Sequence, residues 1–74
     1  MKYVINDYSG IETPIIFPDW VSHDTYGNFN TISAGFVRFN SPTDIVTFGK
    51  STSLGKQSRN EDANIIKRAL AFEM

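Results

Sequence analysis

TISAGFVRFNSPTDIVTFGK, residues 31–50, is the stretch that decides how this chain folds. Between Thr31 and Asn40, Ile32, Ala34 and Phe36 recur at every second position, and Val37 and Phe39 fall between them. That period of two is the pattern of a β-strand, whose successive side chains point to opposite faces. Both faces carry apolar residues, so the strand is expected inside a sheet. Ser41-Pro42-Thr43-Asp44 follows, with proline at the second position, where its fixed φ suits a type I turn. Ile45–Lys50 then returns as the antiparallel partner, with Val46 and Phe48 on one face and Ile45 and Thr47 on the other. Gly35 predicts a bulge or a close approach by a neighbouring element.

Lys2–Asn6 reads as a short strand rich in Tyr, Val and Ile, and Asp7-Tyr8-Ser9-Gly10 as the turn that ends it. Thr13–Phe17 reads as a second strand. Pro14 and Pro18 bracket it, and proline cannot donate to a central ladder, so it belongs at an edge. Asp19–Asn30 is expected to hold one short helix or 3₁₀ turn, capped by Asp19 or Ser22 and stopped at Gly27-Asn28. The chain ends in a helix. Ser58 with Glu61 three residues on forms a capping-box pattern, Asp62 suits the first turn, and Lys67 and Arg68 lie nearer the other pole of the dipole. Ile65, Ala69 and Phe72 make its apolar stripe, with Ile66 and Leu70 beside it. The fold class is therefore α+β: a small antiparallel sheet of about three or four strands, with one C-terminal helix packed on one face.

The 74 residues suffice for a single domain, 1–74, with a small core. Six Phe, three Tyr and one Trp give that core large area per side chain. There is no cysteine, which excludes disulfides, thiolate catalysis and Cys-type zinc sites and favours a cytoplasmic setting. Neither a signal-peptide pattern nor a run of spanning length is visible. A net charge of −1 disfavours non-specific nucleic-acid binding.

The motif that most invites a functional reading is FGKSTSLGKQSRNEDA, residues 48–63. Gly49-Lys50-Ser51-Thr52 resembles the end of a phosphate-binding P-loop. That loop needs a glycine five positions before Gly49, where Asp44 stands, and a helix starting at the lysine, where Ser51–Gln57 is loop-like. The NTPase reading fails on both counts. A simpler anion site survives: Lys50, Lys56 and Arg59 for charge, Ser51 and Thr52 for hydroxyls, and glycines that let backbone approach a ligand. No acid occurs from Thr47 to Asn60. The competing reading is a solvated loop anchored by Leu54.

Asp19, His23 and Asp24 would share a face if helical and could then ligate a divalent metal, but a single histidine in a polar loop is commonly plain surface. No catalytic constellation is visible, and a non-enzymatic protein without cofactor is expected. Trp20, Tyr26 and Phe29 are the candidate interaction residues. Exposed, they would form an aromatic platform for a base or a partner protein; buried, they would cover the open sheet face, and Trp20 is the one so small a core most needs.

PIIFPDW, ISAGFVRF and FGKSTSLGKQSRNEDANIIKRAL, in that order, resemble small uncharacterised accessory proteins carried by bacteriophages and prophages. The resemblance implies action by binding: blocking a host or defence protein, or sequestering a nucleotide-like signalling molecule, in the host cytoplasm and as a symmetric homo-oligomer. The alternative is an assembly module that acts only by protein contact, through its aromatics, its C-terminal helix and Phe72-Glu73-Met74. A sequence-specific nucleic-acid binder is least favoured by the charge.

Overall fold

The computed structural model describes residues 1–72, the Phe72 side chain excepted, so the contact expected of Phe72-Glu73-Met74 lies outside the described residues. Four strands, β1 (Lys2–Tyr8), β2 (Ile11–Phe17), β3 (Thr31–Ser41) and β4 (Asp44–Phe48), form an antiparallel sheet in the order β2-β1-β3-β4. Helix α1 (Asp62–Phe72) packs on one face. The α+β class and the 31–50 hairpin are as the sequence implies, and β2 does lie at an edge.

β1 and β2 pair in full because their turn is only Ser9-Gly10, with φ of 56° and 87°. Two left-handed residues twist a hairpin in the sense its strands require. Asp7 Oδ1 accepts the Gly10 N–H at 2.8 Å and tightens the corner, so Asp7 and Tyr8 belong to the strand. Hydrogen-bonded pairs alternate back from that turn, which puts the Pro14 nitrogen on the outer edge, where no donor is needed.

Register slips where β3 leaves the alternation read from sequence. Ile5 faces Ser33 but Asn6 faces Thr31, so Ile32 is an extra residue in the ladder. The bulge turns Ile32 toward the helix-side core of Tyr3, Ile5, Val37, Ile45 and Ile66, away from Ala34, which packs with Val4 and Phe17 on the other face. Gly35 meets the expected close approach: a Cβ there would stand 2.6 Å from the Phe48 carbonyl oxygen. β4 stops at Phe48 instead of running to Lys50, because Gly49 at φ 77° bends the chain away. Lys50–Ser51 (β5) and Lys56–Gln57 (β6) then form a short ribbon that holds Leu54 against the second cluster.

The helix begins differently from the Ser58/Glu61 expectation. The carboxylate that reaches back is Asp62, whose Oδ2 accepts the Arg59 backbone N–H at 2.9 Å. This is the reciprocal half of a capping box displaced by one residue. Asp62 and Ile66, both with no exposed surface, consequently centre the buried stripe, with Ile65 and Ala69 flanking it.

Candidate functional site

Residues 18–30 carry the chain from the end of β2 back to the start of β3 over the face opposite α1. Proline and apolar side chains fix this crossing. Val21 joins the second core cluster, and His23 lies buried in a 3₁₀ turn at His23–Thr25 that follows Ser22. The His23 ring meets Phe17 and Phe36 edge-on at 5.6 Å each, and its Nε2 lies 2.7 Å from the Gly35 carbonyl. Tyr26 leans on Phe17 at 4.9 Å, and Phe36 stacks on Phe48 at 5.8 Å. An unbroken row of rings therefore covers this face from β2 to β4.

With that row in place the core has no need of Trp20, whose burial the sequence suggested. The Val21 N–H bonds the Pro18 carbonyl, closing a turn with Asp19 and Trp20 at its corner. Trp20 is 86% exposed as a result. Phe29 stands at the corner of a second turn, closed by the Thr31 N–H on the Asn28 carbonyl and braced by Asn28 Oδ1 on the Asn30 N–H. It is fully exposed, at 101%. The three aromatics do not form one platform. Asp19 is tied to the Met1 amino group at 3.0 Å, and the Asn30 carbonyl accepts from the Asp7 N–H. Met1 and Asp7 are six residues apart along an extended strand, so the two turns are separated by roughly 20 Å. Tyr26 packs between them with less than half its surface in water.

The basic loop divides as well. Lys50, Ser51, Thr52 and Lys56 line one open depression of about 300 Å³ with Gly55 and Gln57. The lysines and Thr52 are exposed, whereas Ser51 is buried, its hydroxyl accepting from Leu54 N–H and meeting Ser53 Oγ. Ser51 therefore builds the turn rather than facing a ligand. Arg59 is not part of this group. Its guanidinium turns to the opposite side, onto Glu12 of β2 at 2.7 Å and Asp62 at 2.9 Å. Burial alone would lower the Arg59 pKa, but bonds to these two carboxylates raise it.

Sequence reading missed the network this creates. Tyr3 Oη donates to Asp62 Oδ2 at 2.5 Å, so Tyr3, Asp62, Arg59 and Glu12 link β1, α1 and β2. Burial, followed by the bond to Asp62 and its charge, pushes the Tyr3 hydroxyl far above the ordinary tyrosine range. Asp62 has no exposed surface and cannot meet a substrate in this conformation. The network is a clasp. The only sequence signal for it was an acid three positions after Arg59, which Ser58/Glu61 duplicated.

The Asp19/His23/Asp24 metal set is not assembled: His23 is committed to Gly35 and Asp19 to the amino terminus. Among the described residues no group of three or more acids and histidines could hold a metal, and no helix is long and apolar enough to cross a membrane. Comparison of the chain with protein-family models, with curated proteins and with solved structures finds no match in any of the three.

Proposed function

We propose that the protein is a non-enzymatic binding module of bacteriophage type, acting in the host cytoplasm by contact with a host or defence protein. The observation that carries this reading is the placement of Trp20 and Phe29 at two hydrogen-bonded turn corners, almost wholly in water. Large exposed aromatics cost solubility and contribute nothing to this core, and such side chains supply most of the energy where proteins meet. The Asn28–Thr31 and Pro18–Val21 bonds hold them in place, which reduces the ordering entropy lost on binding. The test compares wild type with a Trp20→Ala/Phe29→Ala variant as bait for host extract, followed by affinity measurement on the purified partner. Loss of binding by tenfold or more in a folded variant supports the reading; a partner held equally by both removes it.

A second reading rests on Lys50 and Lys56, which share one depression in a loop without acids. It supports capture of an anion such as a nucleotide phosphate, with Thr52 as hydroxyl donor. Calorimetric titration with mono-, di- and cyclic nucleotides tests it. Equal heats from wild type and a Lys50→Ala/Lys56→Ala variant would remove it.

A further inference from the structure

Phe29 lies wholly in water, yet the backbone that carries it is tied down on both sides. The Asn28 N–H donates to Thr31 Oγ1 at 2.9 Å, and the Thr31 N–H donates back to the Asn28 carbonyl at 3.1 Å. Asn30 gives its N–H to Asn28 Oδ1, and its carbonyl accepts from the Asp7 N–H. Beneath the corner lies Asn6 of β1, a side chain with no exposed surface. Its Oδ1 accepts from Thr31 Oγ1 at 2.5 Å, and its Nδ2 donates to the Tyr26 carbonyl at 3.1 Å and to Tyr8 Oη at 3.2 Å. The amide fits in one orientation: turned over, it would set its oxygen against the Tyr26 carbonyl. The bulge in β3 makes this contact. With Ile32 as the extra residue, Thr31 stands opposite Asn6. Bulges commonly re-aim a side chain in this way.

We infer that Asn6 and Thr31 are positioning residues for Phe29, a buried latch that fixes the Asn28–Asn30 corner so that the ring meets a partner already ordered. The inference rests on the reading of Phe29 as a contact residue. Energetics favour it over a purely stabilising role. A fully bonded buried amide adds little net stability, because the unfolded chain makes the same bonds to water. An apolar side chain at position 6 would instead extend the cluster around Val4, two residues away on the same face. What a satisfied polar network does supply is a single conformation. Here that conformation belongs to a corner carrying an exposed ring, and ordering it beforehand reduces the entropy lost on association. The Trp20 corner is held by other means. The Val21 N–H bonds the Pro18 carbonyl, Asp19 pairs with the amino terminus, and Lys2 Nζ donates to the Val21 carbonyl at 2.9 Å. None of these bonds passes through Asn6, so that corner serves as an internal control.

Backbone amide relaxation by NMR tests the latch in wild type, in Thr31→Val, which keeps the shape and loses the hydroxyl, and in Thr31→Ser, which keeps the hydroxyl. Order parameters at residues 28–30 are expected near about 0.85 in wild type and Thr31→Ser, and below about 0.6 in Thr31→Val. Residues 19–21 should be alike in all three. Asn6→Ala, measured in the same way, takes the place of Thr31→Val if that variant does not fold. A corner that is mobile in wild type overturns the inference. So does one that stays ordered without the hydroxyl or the amide, or one that Thr31→Ser fails to hold. Against a partner purified through the bait experiment, Thr31→Val should bind roughly three- to tenfold more weakly than wild type, and Thr31→Ser about equally. Equal binding by all three overturns the positioning role. The relaxation measurement needs no partner, so failure of the latch and failure to find a binding protein are separate results.

Discussion

The Tyr3 hydroxyl on the interior strand β1 donates to the Asp62 carboxylate at the start of α1, across 59 positions of sequence. Asp62 also accepts from the Arg59 backbone and side chain, so one buried carboxylate fixes where the helix begins and where it docks. Removing it leaves three donors without their acceptor. Asp62→Ala is expected to cost about 2–4 kcal/mol, and Tyr3→Phe, which spares the Arg59 bonds, about 1–2 kcal/mol. Urea denaturation measures both. If Asp62→Ala proves no costlier than Tyr3→Phe, the carboxylate is not the hub.

The same pair makes stability depend on alkaline pH. The folded protein keeps the Tyr3 proton to higher pH than the unfolded chain does. The contribution is fully present below about pH 10, where an unfolded tyrosine is still protonated. Above that, the unfolded chain releases its proton first, and stability falls by about 1.4 kcal/mol per pH unit. Tyr3→Phe should remove that part of the slope. Denaturation midpoints across alkaline pH, with tyrosinate absorbance followed in parallel, would show a tyrosine that ionises only as the protein unfolds. Equal slopes for wild type and Tyr3→Phe would contradict the assignment.

Gly35 and Gly27 both sit under close neighbours, yet the neighbours differ in kind. A Cβ at Gly35 meets backbone, the Phe48 oxygen at 2.6 Å, while one at Gly27 meets the Leu54 methyl groups at 2.5 and 2.8 Å. Backbone in a sheet cannot step aside, whereas a half-buried leucine can change rotamer. Gly35→Ala is therefore expected to cost about 2–3 kcal/mol and Gly27→Ala about 1 kcal/mol. Thermal melts of the two variants should separate clearly, and the reverse order would mean that the 48–58 crossing is looser than its geometry implies.

Trp20 and Phe29 carry an expectation about stability that is separate from any partner. Since neither side chain is buried, Trp20→Ala and Phe29→Ala should each shift unfolding free energy by less than about 0.5 kcal/mol. A larger loss in chemical denaturation would place these rings in the folded core and take away the reason for assigning them to an interface.

Local pattern made the strands legible, because alternation and turn residues act over a few positions. Val37, Val46 and Phe48 fall on the faces their spacing gave them, and Pro14 marked an edge. What failed was decided at long range. The bulge at Ile32 comes from the match of β3 to Asn6 and Thr31, whose side chains bond each other in the core. A local capping rule favours Ser58 with Glu61, and the buried bond from Tyr3 selects Asp62 instead. Trp20 was assigned to the core on size alone; once Phe17, His23, Tyr26 and Phe36 cover the sheet face, the turn at Pro18–Val21 is free to hold it in water. Among the candidate ligand residues, Arg59 was grouped with Lys50 and Lys56 by proximity in sequence, although Glu12, 47 positions earlier, claims it.

That last division can be measured, because the three basic residues should respond in opposite ways. Arg59 bonds Glu12 and the buried Asp62, so Arg59→Ala strips a carboxylate of its partner and should cost about 1–3 kcal/mol in urea denaturation. Any affinity for nucleotide anions should survive it nearly unchanged, since the guanidinium faces away from the depression. Lys50→Ala and Lys56→Ala remove exposed side chains and should leave stability within about 0.5 kcal/mol. Each should weaken anion binding, and more so at low salt, where surface charge is least screened. Calorimetry in dilute and physiological salt distinguishes these cases. If Arg59→Ala abolishes binding without loss of stability, the guanidinium leaves Glu12 to reach the ligand, and the site is the three-cation loop the sequence first suggested.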